Sequence, residues 1–180
     1  MNLFLATLLP GLFLVLLGGL LLWNDPRVIA AAKALPRSRG GAWLLFGGSA
    51  VWFMWRLSRV GESDLIFFQQ PWPVMLGFGA LAVLAFIYTP DFLAVRGLCV
   101  LMLLVSEYLL KAGYMSFVWQ VYPYKVAVYV GLALALYLAA APYRLRDFFE
   151  WLFAKPGRSR VLGALALVYG LATSAAAFTY

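Results

Sequence analysis

Residues 3–23 read LFLATLLPGLFLVLLGGLLLW, an apolar run without a single charged side chain. As a helix, a run of about 18 or more apolar residues is long enough to cross a hydrocarbon core of about 30 Å. Only Met1 and Asn2 precede it, and it has neither the basic segment nor the small-residue cleavage site of a secretory signal peptide. This stretch therefore predicts a retained transmembrane helix.

Comparable runs follow along the whole chain. Of the 180 residues, 65% are hydrophobic and 12% are charged, whereas a soluble domain is about half apolar and about a quarter charged. We therefore predict an all-α integral membrane protein, with residues 1–180 forming a single membrane domain of about six transmembrane helices. The predicted spans are 3–23, 40–55, 74–88, 92–110, 126–141 and 161–178.

The third predicted span is the least regular. Gln69, Gln70, Pro71 and Pro73 separate it from the second span. It is short for a full crossing, so a re-entrant segment is the alternative. The sequence TPD at 89–91 divides it from the fourth span, because proline disfavours helix in the preceding residue and suits a first helical turn. We expect these two spans to pack as a close hairpin.

The basic residues indicate how the chain is oriented. Net charge is +7, and most of the Lys and Arg residues gather in two connections between apolar runs. The first connection carries Arg27, Lys33, Arg37 and Arg39, and the second carries Arg144, Arg146, Lys155, Arg158 and Arg160. The opposing connections hold only Arg56, Arg59, Lys111 and Lys125. The positive-inside rule then predicts both basic connections in the cytoplasm, with both termini outside.

Each basic connection contains a predicted interfacial helix, at 26–35 and at 143–155, followed by an Arg-Ser-Arg triplet. In the second helix Leu145, Phe148, Phe149 and Leu152 recur at helical spacing, which is typical of a helix lying in the membrane interface. The shared pattern indicates an internal repeat of span, surface helix and span.

The arginines of these connections either only orient the loops or also dock a partner or anionic lipid headgroups. The docking candidates are Arg37, Arg39, Arg144, Arg146, Arg158 and Arg160. Because membrane orientation and anionic lipid explain the positive charge, nucleic acid is not an expected partner.

The motifs LPR at 35–37 and KPGR at 155–158 each stand between a short basic helix and a glycine-bearing span. This pattern resembles small two-span bacterial inner-membrane proteins of unknown function. The resemblance covers about half of the chain. It implies a bacterial inner membrane and brings no activity with it.

Only the fourth predicted span carries ionisable side chains well inside it, namely Arg96, Glu107 and Lys111. Arg96 and Glu107 fall within about 20° of each other on one helical face but about 16 Å apart, whereas Glu107 and Lys111 can pair. Because a charge near the bilayer centre is costly, Glu107 is the main transport candidate, with Arg96 and Lys111 lining the path. The alternative is structural: Lys111 and Arg96 snorkel to opposite interfaces, and Glu107 neutralises Lys111.

Small residues recur at four-residue steps in the last two predicted spans, a pattern that lets helices approach closely. The fifth span has Ala127, Gly131, Ala135 and Ala139, and the sixth has Ala166, Gly170 and Ser174. We expect these rows to pack the two helices together, or one row to face a partner subunit.

The remaining inventory makes several kinds of chemistry unexpected. The chain has no histidine and one cysteine, Cys99, so we expect no haem, zinc site, catalytic triad or intramolecular disulfide. The sequence has no glycine-rich phosphate loop, paired-carboxylate arrangement or metal-ligand cluster, so neither a cofactor nor a metal is expected. We predict a non-enzymatic accessory or scaffold subunit of a membrane complex, contacting other membrane subunits or itself. The alternative is a small transporter or channel that uses Glu107.

Overall fold

The computed structural model describes residues 2–60, 70–116 and 118–179. These residues form helices and their connections, and no strand occurs among them. The helices are α1 (Leu3–Trp23), α2 (Pro26–Ala34), α3 (Arg39–Gly41), α4 (Gly48–Leu57), α5 (Trp72–Tyr88), α6 (Leu93–Ala112), α7 (Tyr122–Ala140), α8 (Tyr143–Phe153) and α9 (Pro156–Ala177).

In the part of the chain that the structure describes, four helices are long and apolar enough to cross a membrane: α1, α6, α9 and the stretch Trp119–Ala140 that contains α7. The predicted all-α membrane class is confirmed at this level. α5, which covers the third predicted span, is shorter, with 17 residues. Gln69, which the sequence places in the connection before it, lies outside the described residues.

The second predicted span belongs to a continuous helical stretch over residues 39–57, which we call the α3–α4 segment. A π-helical segment, Ala42–Gly47, joins its two α-helices. The Oγ of Ser38 caps its start by accepting a hydrogen bond from the Gly41 N–H at 3.0 Å. The wider π turn lies at the contact with α6. A Cβ at Gly97 of α6 would overlap the backbone of Phe46, which belongs to this turn.

α1 and α9 form an antiparallel pair whose contact is made by glycines. A Cβ at Gly18 would lie 2.6 Å from the carbonyl oxygen of Gly163, and a Cβ at Gly170 would lie 2.7 Å from that of Gly11. Backbones come this close only where side chains are absent. The small-residue row of α9 therefore faces α1, and the expectation that it packs against the fifth span is wrong.

The small-residue row of α7 faces α6 instead. A Cβ at Gly131 would overlap the side chain of Met102, and Ala135 is buried in a cluster with Val95 and Cys99. The sequence identified both rows as packing surfaces but not their partners, because spacing along one helix carries no information about which neighbour covers it.

α6 lies at the centre of the helix bundle. The α3–α4 segment runs parallel to it, since Phe46 lies against Gly97 near one end and Arg56 binds Glu107 near the other. α7 runs antiparallel to it, and α1 reaches the same core through Ala6, which is buried with Leu109 of α6.

α5 packs along the α3–α4 segment and not against α6. The ring of Phe86 stacks on Trp43 at 4.7 Å between centroids, and Phe78 meets Phe53 at 5.1 Å. An open cavity of about 500 Å³ separates much of α5 from α6. The close hairpin expected of these two helices is therefore not formed, because aromatic contacts draw α5 to a different neighbour.

Both basic connections lie at the same end of the bundle. α2 packs against α8, and the Oγ of Ser159 donates a hydrogen bond to the Oδ1 of Asn24 at 3.0 Å. At the opposite end the ring of Phe4 meets that of Phe178 at 5.3 Å. The two ends of the described chain therefore lie together, away from the basic connections.

Candidate functional site

Glu107 stands in the last third of α6 and joins two helices through its carboxylate. Its Oε1 accepts a hydrogen bond from the Nζ of Lys111, one turn further along, at 2.6 Å. The same oxygen also accepts one from the Nη2 of Arg56 in α4. The predicted pairing with Lys111 is therefore present, and Arg56 is a further partner that binds from another helix.

Arg56 is not among the predicted site residues, because the second predicted span ended at residue 55. The helix continues to Leu57, so Arg56 lies within it and its side chain points towards α6. Its Nη1 also donates to the hydroxyl of Tyr108 at 3.3 Å, and its guanidinium lies 5.1 Å from that ring. Extending the second predicted span by one residue would place Arg56 in a helix. No sequence pattern, however, pairs Arg56 with Glu107.

The cluster lies near the helix ends and not at the middle of the bundle. Arg56 is the penultimate residue of α4, and Lys111 is the penultimate residue of α6. The side chains of Glu107 and Arg56 are 37% and 31% exposed. The arrangement therefore links two parallel helices at one end, in a setting that water or lipid headgroups reach.

Two open cavities meet at Glu107. One, of about 420 Å³, is lined by Arg56, Arg59, Tyr108 and the residues at the end of α4. The other, of about 500 Å³, is lined mainly by apolar side chains of α4, α5 and α6. Phe53, Leu104 and Glu107 line both.

Arg96 does not join this cluster. It lies in the first turn of α6, eleven positions before Glu107, and therefore near the opposite end of the helix. Within the described ranges its guanidinium has no hydrogen-bond or ion-pair partner. The structure brings Glu107 and Lys111 together but leaves Arg96 at the end that carries the basic connections.

The predicted docking arginines are spread over that basic end. The Arg37 guanidinium lies 5.6 Å from the Phe92 ring, Arg144 lies 5.5 Å from Tyr143, and Arg39 and Arg160 are exposed. Arg158 donates to the carbonyl oxygen of Trp151 at 2.9 Å while lying over its ring.

Arg146 is engaged within its own helix. It forms an ion pair with Asp147 at 2.8 Å and a longer one with Glu150 at 3.9 Å. The hydrogen bonds that Arg146 donates to Asp147 raise the pKa of its guanidinium above its usual value. Arg146 is therefore less available to a partner than the other docking candidates are.

Within the described ranges no group of three or more His, Cys, Asp or Glu side chains is arranged to hold a metal ion. Cys99 is buried in the core between α6, α7 and α8. No protein-family model, curated protein or solved structure matches this chain.

Proposed function

We propose that this protein is a non-enzymatic accessory subunit of a membrane assembly, which holds another membrane protein against the outer face of α5. The chain crosses a bacterial inner membrane six times. α2 and α8 lie on the cytoplasmic side, and both termini lie outside.

The directions of the helices support six crossings. α1 runs towards the basic end, the parallel pair of α6 and the α3–α4 segment runs away from it, and α5 and α7 run back. α9 then runs antiparallel to α1. α5 is about 25 Å long at the rise of an α-helix, close to the thickness of a hydrocarbon core.

The charges support the assignment of sides. Nine of the 14 Lys and Arg residues are in the two basic connections, and α2 and α8 hold these connections against each other. Such a concentration favours the cytoplasmic face, where anionic lipid headgroups are the expected contacts of the exposed arginines.

The observation that carries the proposed role is the exposure of α5. It is apolar along its whole length, yet none of its residues is buried by the rest of the chain. Lipid can surround an apolar helix as well as protein can, so the exposure of α5 alone does not indicate a protein partner. The residues on its exposed face have to distinguish the two. Gly77 and Ala80 stand side by side on its exposed outer face, next to Leu84.

Gly77 differs from the glycines that this chain uses for its own packing. A Cβ at Gly77 would meet nothing within 4 Å, whereas one at Gly11 or Gly170 would collide with the facing helix. A glycine within a helix costs about 1 kcal/mol relative to alanine. A second helix that packs closely on this face offsets that cost, and lipid does not.

Site-specific photo-crosslinking in native membranes tests this role. A photoreactive residue at Ala80 is expected to give one protein adduct of defined mass that contains a different membrane protein. The same residue at Leu165, an exposed apolar position on α9, serves as the lipid-facing control and gives no such adduct. Gly77→Ile in the Ala80 variant should remove most of the adduct, because the isoleucine side chain occupies the space beside Gly77 that a closely packed partner helix needs.

Three outcomes would contradict the accessory role. They are adducts with lipid only, the same adducts from both positions, or a dimer of this chain as the sole product.

Transport is the second candidate, because Glu107 borders two cavities. The arrangement supports it less, since both cations around Glu107 bind one carboxylate oxygen and Arg96 lies at the far end of α6. A transporter is expected to hold its substrate in a hydrated cavity near the midplane. Loss of proton or cation flux from liposomes on Glu107→Gln would support transport and defeat the accessory role.

A further inference from the structure

The two cavities at Glu107 adjoin, since Phe53, Leu104 and Glu107 line both, and they differ in character. The first lies at the end of α4 and contains the Arg56 and Arg59 side chains. The second extends from Glu107 towards the middle of the bundle, between Phe53 of α4, Leu81 of α5 and Val100 of α6. Because both are lined by Glu107 and Leu104, they form one groove with a polar end and an apolar end.

Cations outnumber carboxylates among the described residues at the polar end. Arg56 and Arg59 line it with Glu107, and Lys111 lies beside it, bound to Glu107. Arg59 forms no ion pair within the described ranges and lies 4.3 Å from the centroid of the Trp55 ring. A planar guanidinium held against a ring presents a fork of N–H donors that is suited to a phosphate.

The apolar end of the groove is long enough for much of an acyl chain and is open to lipid at its side. From Glu107 to Val100 the groove follows seven residues of α6, about 10 Å at the helical rise, which is most of one leaflet of the hydrocarbon core. Leu81 and Phe78 on its rim are 60% and 45% exposed. The groove therefore opens sideways, towards the position that lipid occupies in a membrane.

We propose that this groove binds one anionic phospholipid, with its phosphate at Arg59 and Arg56 and one acyl chain between α4, α5 and α6. The lipid fills the space that keeps α5 from packing on α6. This site lies at the end of the bundle opposite the basic connections, and Ala82, which lines it, is on the opposite side of α5 from Ala80. The lipid site and the accessory role are therefore tested by different experiments, and either can fail without the other.

Native mass spectrometry of the full-length purified protein tests the site, with phosphatidylglycerol and phosphatidylcholine offered in equal amounts. The wild-type protein is expected to retain one phosphatidylglycerol. Ala82→Trp places an indole in the groove and should abolish retention, whereas Ala80→Trp, on the opposite side of the same helix, should leave it unchanged. Arg59→Gln should lower retention about fivefold.

Lys155→Gln removes an exposed charge at the basic end and is the matched control for Arg59→Gln. Its retention is expected to equal that of the wild-type protein. Equal retention of both lipids by the wild-type protein would overturn the proposal. So would retention that Ala82→Trp does not change, or an equal loss in Arg59→Gln and Lys155→Gln.

Discussion

At the scale of single residues, Glu107 acts as a clamp between two parallel helices. One of its oxygens binds both Arg56 and Lys111, and the side chains are exposed enough for solvent to weaken the attraction. An ion pair of this kind contributes at most about 1 kcal/mol, but the loss of its carboxylate also leaves two cations facing each other. We therefore assign Glu107 to the packing of α6 against α4.

Glu107→Gln is expected to lower the Tm in detergent by about 2–4 °C, the shift that about 1 kcal/mol gives in a chain of this size. Glu150→Gln is the control, since Glu150 makes only a long and exposed contact with Arg146, and should leave the Tm unchanged. Adding Arg56→Gln to Glu107→Gln should lower the Tm little further, because the two groups share one interaction. Additive losses would show that they act independently.

At the scale of helices, glycines decide which surfaces meet. Gly18 and Gly19 are neighbours in α1 with opposite surroundings. A Cβ at Gly18 would lie 2.6 Å from backbone atoms of α9, whereas one at Gly19 would meet nothing within 4 Å. The same chemical change therefore has opposite expected effects at two adjacent positions.

Gly18→Ala should destabilise the protein by about 1–3 kcal/mol, because it forces α1 away from α9. Gly19→Ala should be neutral or stabilise by up to about 1 kcal/mol, since alanine is the better helix former. Thermal unfolding of the two variants in the same detergent gives the comparison. Similar shifts for both would contradict the glycine-mediated contact.

The sequence predicts the helices of this protein far better than their neighbours. Apolar runs fix α1, α6, α7 and α9 because the length and composition needed for a membrane helix are local properties. The partners of each helix depend on three-dimensional fit, so the position of α5 beside the α3–α4 segment was not predictable. For the same reason the Lys111–Glu107 pair, within one turn, was found, whereas the bond to Arg56 was not.

At the scale of the whole molecule, the antiparallel pair of α1 and α9 constrains the topology. Phe4 meets Phe178 at one end, and Asn24 binds Ser159 at the other. If both helices cross the membrane, the two basic connections share one side and the termini share the other. The number of crossings between the two basic connections is then even, as it is in the proposed arrangement.

Cysteine labelling in intact cells tests that arrangement most directly. In a Cys99→Ala background, single cysteines replace exposed residues at Lys33, Lys155, Ser58 and Thr179. A membrane-impermeant maleimide applied from outside should label positions 58 and 179, and should reach 33 and 155 only after the membrane is permeabilised. Labelling that places 33 and 155 on opposite sides of the membrane would contradict the account.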